Sequence, residues 1–302
     1  TQEFPCLTKC LRSESHEKAM TAKPPVVLTI AGFDPCSGAG VTADIKTIAA
    51  HGCYGLACIT AMTVQSTTGV RRVEAADPLL VTDTLQELAD DIPIAAVHIG
   101  MLGSAKVVKA VADFLEHRPG KAKLSNIVLD PIIKSSSGAD LLDGSGIKLL
   151  IERLIPVADV ITPNGDEAAV LTGLQVTDLD QMRAAAAKLH KMGAAAVVIT
   201  GGHLDKATDL LSFTSKRGIE QEVFRAERQR SNCTHGTGCA FATGISCHLA
   251  LDRGLAEAVL LAKTYVIAAI AAGHALGRGT APVHHLYRMN EQRRAAGSGT
   301  ES

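Results

Sequence analysis

The sequence predicts an α/β fold, a mostly parallel central sheet with helices on both faces. Short apolar runs alternate with longer segments of helical period. The runs stop at glycine, proline, asparagine or aspartate, where a strand gives way to a loop. Of the 302 residues, 46% are hydrophobic and 20% charged, with 27 glycines. That composition supplies apolar surface for a buried sheet and small residues for close helix-on-sheet packing.

Residues 26–31 read as a buried strand ending at Gly32, and 38–50 as a helix that Gly52 caps. A strand over 56–64 leads into a polar turn and a helix over 78–90. Residues 95–99 form the next strand, and 104–117 a helix with Ser104 placed as its cap. Strands follow at 127–129, ending in Asp130-Pro131, and at 157–161, ending in Thr162-Pro163-Asn164. A helix over 178–192 precedes a strand over 195–200 that ends in Gly201-Gly202. Residues 208–226 read as a hairpin turning at Arg217-Gly218. Two successive helices, 237–251 and 255–276, close the pattern. No linker or repeat divides the chain. Residues 24–287 are expected as a single domain, 1–23 as a flexible N-terminal extension and 288–302 as a polar tail.

Charge and composition narrow the function. The formal net charge is -1, and no basic stripe marks a nucleic-acid partner. The most apolar stretch, 255–276, carries Glu257 and Lys263, so no membrane span is expected. The absence of Trp argues against a base-stacking platform. The 8 cysteines form no C-x-x-C pair, and a core of this size needs no disulfides. Reduced thiols in a cytoplasmic chain are expected.

In parallel sheets ligands bind beyond the carboxyl ends of the strands. That places a site near Gly32, Gln65, Met101, Asp130, Asn164 and Gly202. The segment Thr234-His235-Gly236-Thr237-Gly238-Cys239 opens an apolar helix. Its glycines let the backbone approach an anion, and the first helical N–H groups have no intrahelical acceptor. Cys239 falls in that first turn, where the helix dipole is expected to lower its pKa. An anion cradle beside a thiolate suits phosphoryl transfer to a hydroxyl; the alternative is a glycine turn with a buried cysteine. Asn164 and Glu167 stand three apart at a helix start. They either hold Mg²⁺ through waters or form a capping box. Asp130 either supports the same cation or simply opens a turn before Pro131. Gly32 to Gly40 is glycine-rich but has neither the P-loop nor the dinucleotide spacing, so it reads as a loop around an uncharged substrate that Asp44 braces. Gln65 offers a donor and an acceptor to a heterocycle edge, and Met101 an apolar wall.

Taken together these segments resemble the hydroxymethylpyrimidine/phosphomethylpyrimidine kinases of thiamine biosynthesis, within the ribokinase-like superfamily. The marks run from Thr29-Ile30-Ala31-Gly32 and Gly38 to Thr47, through Gln65, Gly100-Met101 and Asp130-Pro131. They continue with Pro163-Asn164 and Glu167, Thr234 to Cys239, and Pro282 to His285. The resemblance implies a ribokinase-like fold, ATP and Mg²⁺, a homodimer, and a small pyrimidine alcohol phosphorylated twice. It implies Cys239 as base, with Gly236 and Gly238 as the anion hole. Gly32, Asp44, Thr63, Gln65, Met101 and Ile132 would hold the pyrimidine. Asn164, Thr200, Gly202, His235 and Lys263 would line the ATP site, and Asp130 and Glu167 the metal. Ser37, Thr42 and Thr200 depart from the family's usual Gly, Gln and Lys. A pyridoxal-type kinase and a non-catalytic pyrimidine-binding protein are the alternatives.

Overall fold

The computed structural model describes residues 23–117, 123–201, 207–227, 229 and 231–289. The N-terminal extension, the end of the tail from 290, and Gly202 lie outside them. One nine-stranded sheet runs through the chain in the order β3-β2-β1-β4-β5-β6-β7-β8-β9. The strands are β1 (Val26–Phe33), β2 (Tyr54–Ser66), β3 (Gly69–Ala75), β4 (Ala96–Ile99), β5 (Ile127–Leu129), β6 (Val160–Ile161), β7 (Ala196–Gly201), β8 (Ala207–Ser215) and β9 (Gly218–Ala226). The six from β2 to β7 are mutually parallel, while β3, β8 and β9 add antiparallel edges. The expected fold class is the one observed.

Alternation along the strands splits the core in two. Leu28, Ile30, Val97, Ile99, Leu129 and Ile161 face one layer. It contains α2 (Pro78–Asp91), α3 (Ala105–Glu116), α4 (Gly144–Leu149), α5 (Gly165–Thr172) and α6 (Leu179–Lys191). Val128, Val160, Ala196 and Val198 face the other, built on α7 (Thr237–Ala250) and α8 (Leu255–Ala271), while Val27 and Ala96 pack on α1 (Gly40–Ala50) beside the end of α7. Strands buried on both faces explain the continuous apolar runs in the sequence.

Four local expectations change. The strand at 157–161 shrinks to Val160–Ile161, because Pro156 starts a 3₁₀ turn over Ile155–Val157, where its fixed φ fits and its missing N–H costs nothing. The last helix stops at Ala271; a Cβ on Gly273 would lie 2.4 Å from Cys233 Cβ, so the chain there is pressed against another segment. The turn expected after Val64 is a two-residue connection into β3, whose exposed, charged sequence carries little apolar signal. Helix α4 and the π-turn after it, Leu150–Leu154, were not anticipated.

The α7–α8 side contains a knot of aromatic rings. His51 follows α1 and packs edge-on against Tyr265 (4.5 Å between centroids) and His248 (4.9 Å). The Arg288 guanidinium sits 5.6 Å from the Tyr265 ring centre. Burial, then the neighbouring His51, Arg288 and Arg253, pushes His248 down to about 4. Burial and Lys46 push His285 to about 4 against the opposing pull of Asp44. Both rings are neutral when folded and take a proton readily when unfolded. Their stabilisation is therefore complete above pH 6.5 and drains away as pH falls towards 4, by on the order of 3 kcal/mol per ring. Urea titrations from pH 7 to pH 4 should show that decline, and His248→Gln should make it shallower; equal slopes for the two proteins would refute this account.

Candidate active site

The strand order reverses between β1 and β4, so their carboxyl ends open a crevice at the switch point. Three loops and one helix start meet there: residues 32–40 after β1, 100–103 after β4, 130–137 after β5, and the start of α7.

The loop after β1 is tied down by one carboxylate. Asp34 accepts from the backbone N–H groups of Cys36 (2.8 Å), Gly38 (3.2 Å) and Ala39 (3.0 Å), and lies 2.9 Å from His235 Nε2. Burial raises its pKa, but His235 and these N–H groups outweigh it, and the net shift is downward. Lys46 Nζ donates to the Ser37 carbonyl at 2.8 Å. The loop then lies against the start of α7 with no room for side chains. Gly236 has φ +81°, and a Cβ there would fall 1.8 Å from the Gly38 carbonyl oxygen. Gly40 has φ +60°, with its imagined Cβ 2.1 Å from the Gly32 carbonyl oxygen. Ser37 also has a positive φ, +57°.

Asp77, Ser104, Asp143, Asn164 and Asp178 cap the starts of α2 to α6 with their side chains. Neither α1 nor α7 has such a cap. The first turns of α1 and α7 both face Cys239: it occupies the first turn of α7, and the Gly40 N–H that opens α1 lies close enough to hold its pKa down. The lowered thiol pKa expected from the dipole is not found. Burial, then the carboxylates of Asp130 and Asp44, drive it well above its ordinary value; Glu167 adds to this and the Gly40 N–H only partly opposes it.

Asp130 and Glu167 are both buried. An α-carbon substituent on Gly238 would come 3.8 Å from Asp130 Oδ2, so that carboxylate faces the start of α7. Burial, then Glu167 and Asp44, raises Asp130 well above the carboxylate range. Glu167 is pushed up to about 7, chiefly by burial, while the Asn164 and Ile133 N–H groups hold it down. Among the described residues no Lys or Arg pairs with either. The capping box is real: Glu167 N–H donates to Asn164 Oδ1 and Asn164 N–H to Glu167 Oε2, each at 2.9 Å. The cap therefore uses one Glu167 oxygen and fixes the other's direction.

The opposite end of the crevice is polar and, beyond the Asp34–His235 pair, built from uncharged groups. Thr63 Oγ1 donates to the Phe33 carbonyl (3.0 Å) and to Gln65 Oε1 (3.2 Å). Met101 Sδ lies 3.0 Å from where Gly32 would carry a Cβ. Met101 belongs to a small apolar cluster with Ala61 and Leu141, against which Ile132, Val70 and Val73 pack. A cleft of about 140 Å³ adjoins this cluster, lined by Gln65, His235, Ser135 to Ser137 and the β2–β3 turn among others.

A largely uncharged, hydrogen-bonding recess thus sits beside an anion-seeking helix start and a pair of uncompensated carboxylates. The family model for phosphomethylpyrimidine kinase matches residues 34–284. The chain belongs to the phosphomethylpyrimidine kinase family. It is 41% identical over 269 residues to the hydroxymethylpyrimidine/phosphomethylpyrimidine kinase of Streptomyces coelicolor, covering 89% of this chain and 97% of that protein. It is 40% identical over 269 residues to the thiamine biosynthesis bifunctional protein ThiED of Geobacter sulfurreducens, covering 88% of this chain but only 53% of that longer protein. Among solved structures, an ADP complex of Bacillus subtilis pyridoxal kinase superposes with a TM-score of 0.79 at 32% identity, over 89% of this chain and 100% of that one.

Within this phosphomethylpyrimidine kinase fold, three expected site residues are elsewhere engaged. Lys263 Nζ donates to Asp209 Oδ2 (2.6 Å) and the Ala207 carbonyl (3.1 Å), so its charge is already paired beneath β8 rather than offered to a nucleotide. Asp44 has no exposed surface, and its carboxylate binds Thr29 and Thr243, not the crevice. His235, expected beside ATP, lies 3.3 Å from the Gln65 side-chain nitrogen and 2.9 Å from Asp34 Oδ2. Thr200 sits at the end of β7 with its N–H on the Pro163 carbonyl. Sequence reasoning gave Asp34 no role; the glycines flanking it were the available sign that the loop needed an internal acceptor. The two glycines of the α7 start should now separate by substitution. Gly236→Ala should lower Tm by several degrees, since it meets a backbone oxygen at positive φ. Gly238→Ala should leave Tm nearly unchanged yet reduce phosphoryl transfer at least tenfold; normal turnover in Gly238→Ala would exclude this helix start from the chemistry.

Proposed function

We propose that the chain is an ATP-dependent kinase that phosphorylates the hydroxymethyl group of 4-amino-5-hydroxymethyl-2-methylpyrimidine. It then phosphorylates the resulting monophosphate to the diphosphate. The observation carrying this reading is the convergence of two uncapped helix starts on the buried Cys239, with Gln65 at one end of the crevice and Asp130 and Glu167 at the other.

Gln65 presents an amide to the ring's hydrogen-bonding edge, while Met101, Ile132 and Gly32 sandwich its faces. The hydroxymethyl group then points towards Cys239. Gly236 and Gly238 leave the backbone bare where the transferred phosphoryl arrives, and N–H groups of the α7 start neutralise its charge. Asp130 and Glu167 suit Mg²⁺: two oxygen donors, buried, mutually repelling and with no basic partner among the described residues. Mg²⁺ bound there supplies positive charge to the phosphate oxygens and to these two carboxylates. Cys239 holds its proton in this environment; once the two carboxylates hold a cation, the thiol releases that proton to solvent more readily, and the resulting thiolate takes the proton of the alcohol. Turnover measured with phosphorus NMR should show monophosphate followed by diphosphate. Cys239→Ala should fold normally and lose on the order of 10²–10⁴ in kcat, and Asp130→Asn should raise the Mg²⁺ needed for half-maximal rate. Near-full activity of Cys239→Ala would remove the base assignment.

The likeness to a pyridoxal kinase favours a second reading, in which a pyridine alcohol is the substrate. Competition between the two ring alcohols decides between them, and preference for the pyridine would displace the first reading.

We also read the protein as a cytoplasmic homodimer. Among the described residues six cysteines stand as free thiols, and no helix is long and apolar enough to cross a membrane. The outer side of β2 exposes Ile59 (41%), Met62 (50%) and Val64, a strip that a second copy would cover. Light scattering should give twice the chain mass, and Met62→Glu should give a monomer; a monomeric wild type would reject the dimer.

A further inference from the structure

Four fully buried polar side chains, from four different elements, meet beneath the crevice: Thr29 on β1, Asp44 on α1, His98 on β4 and Thr243 on α7. Thr29 Oγ1 donates to Asp44 Oδ2 at 2.6 Å, and Thr243 Oγ1 to Asp44 Oδ1 at 2.9 Å. His98 Nδ1 lies 3.3 Å from Asp44 Oδ2. Burying such a group is costly, and an apolar cluster of similar volume commonly stabilises a fold as well or better. Its location suggests what the directional bonds accomplish. Asp44 is one helical turn beyond Gly40, whose N–H faces Cys239 at the start of α1. Thr243 is one helical turn beyond Cys239. The Asp44–Thr243 bond therefore joins the second turns of the two helices whose first turns meet at the thiol. Thr29 and His98 fix the same carboxylate to the two strands flanking the switch point.

We propose that Asp44 is a positioning residue for phosphoryl transfer. Through Thr243 it sets α1 against α7, so that the Gly40 N–H, the Cys239 sulfur and the α7 start stay in one reactive arrangement. Asp44 touches neither the pyrimidine nor the nucleotide. Its loss shifts the reacting groups while leaving the Gln65 end intact, and small misplacements of reacting groups are expensive in rate. This inference rests on the kinase reading above.

The test compares wild type, Thr243→Val, Thr243→Ser and Asp44→Asn in the coupled assay with the pyrimidine alcohol and ATP, with a thermal melt for each. Thr243→Val should lower kcat at least tenfold while KM for the alcohol stays within about twofold. Thr243→Ser, which restores the hydroxyl, should recover kcat to within about twofold of wild type. Asp44→Asn should show the same split in a protein that is still folded at the assay temperature, and it decides the matter should Thr243→Val fail to fold. Unchanged kcat in both folded variants, a rise in KM as large as the fall in kcat, or failure of serine to rescue would overturn the proposal. A wild type with no phosphoryl transfer to the alcohol would instead defeat the kinase reading and be seen before any variant is compared.

Discussion

Two helix starts facing one sulfur impose the tightest constraint in this fold. An α-helix leaves its first N–H groups without intrahelical acceptors, and five helices here satisfy theirs with a side chain. Helices α1, α7 and α8 do not, and the open ends of α1 and α7 come together where there is little room for side chains. That closeness accounts for Gly236, whose Cβ would fall on the Gly38 carbonyl oxygen, while Gly40 is confined by the Gly32 carbonyl of its own loop. It also accounts for the folding of the intervening loop around Asp34, which supplies locally the acceptors that the helix starts leave to a ligand. A looser approach would relieve Gly236 and abandon the site.

The same crowding controls charge. Cys239 lies within the fields of Asp130, Asp44 and Glu167, and burial raises it before any of them acts. The dipole argument from sequence considered one helix and one thiol; it missed three carboxylates delivered from α1, the end of β5 and the start of α5. In low dielectric, nearby full charges outweigh the partial charge of a helix end. The site thus sets carboxyl groups that burial pushes towards their protonated forms beside backbone N–H groups that carry partial positive charge. A metal-bound phosphate carries the complementary pair of charges.

What could be read in the sequence was whatever is local. Strand ends, the glycine pattern of 236–240 and the Asn164–Glu167 spacing each announce themselves within a few residues, and the parallel sheet follows from the alternation of periods. What remained hidden was pairing across long separations. Lys263 faces Asp209, 54 residues away, and Thr243 reaches Asp44 across 199. Neither partner has a periodic signature, so Lys263 was assigned to nucleotide and Asp44 to substrate. The strand β3 escaped for another reason. It is an exposed edge rich in charge, held by its pairing with β2 rather than by burial.

The substrate end obeys a different logic from the phosphoryl end. The tip of the β2–β3 hairpin is held from two sides: Gly69 leaves 3.1 Å between an imagined Cβ and Ser137 Oγ, and the Gly279 N–H donates to Thr67 Oγ1 at 3.3 Å. These are neutral contacts between loops, replaceable by contacts to a ligand of similar polarity. The charged end, by contrast, is fixed by buried bonds from β1, α1, β4 and α7. Binding a neutral ring therefore requires little rearrangement of charge, and the cost of assembling the anion site is met during folding rather than at each turnover. Under the proposed reading, specificity for the ring is free to vary in the loops while phosphoryl transfer stays anchored in the sheet, a scaffold this chain shares with a pyridoxal kinase.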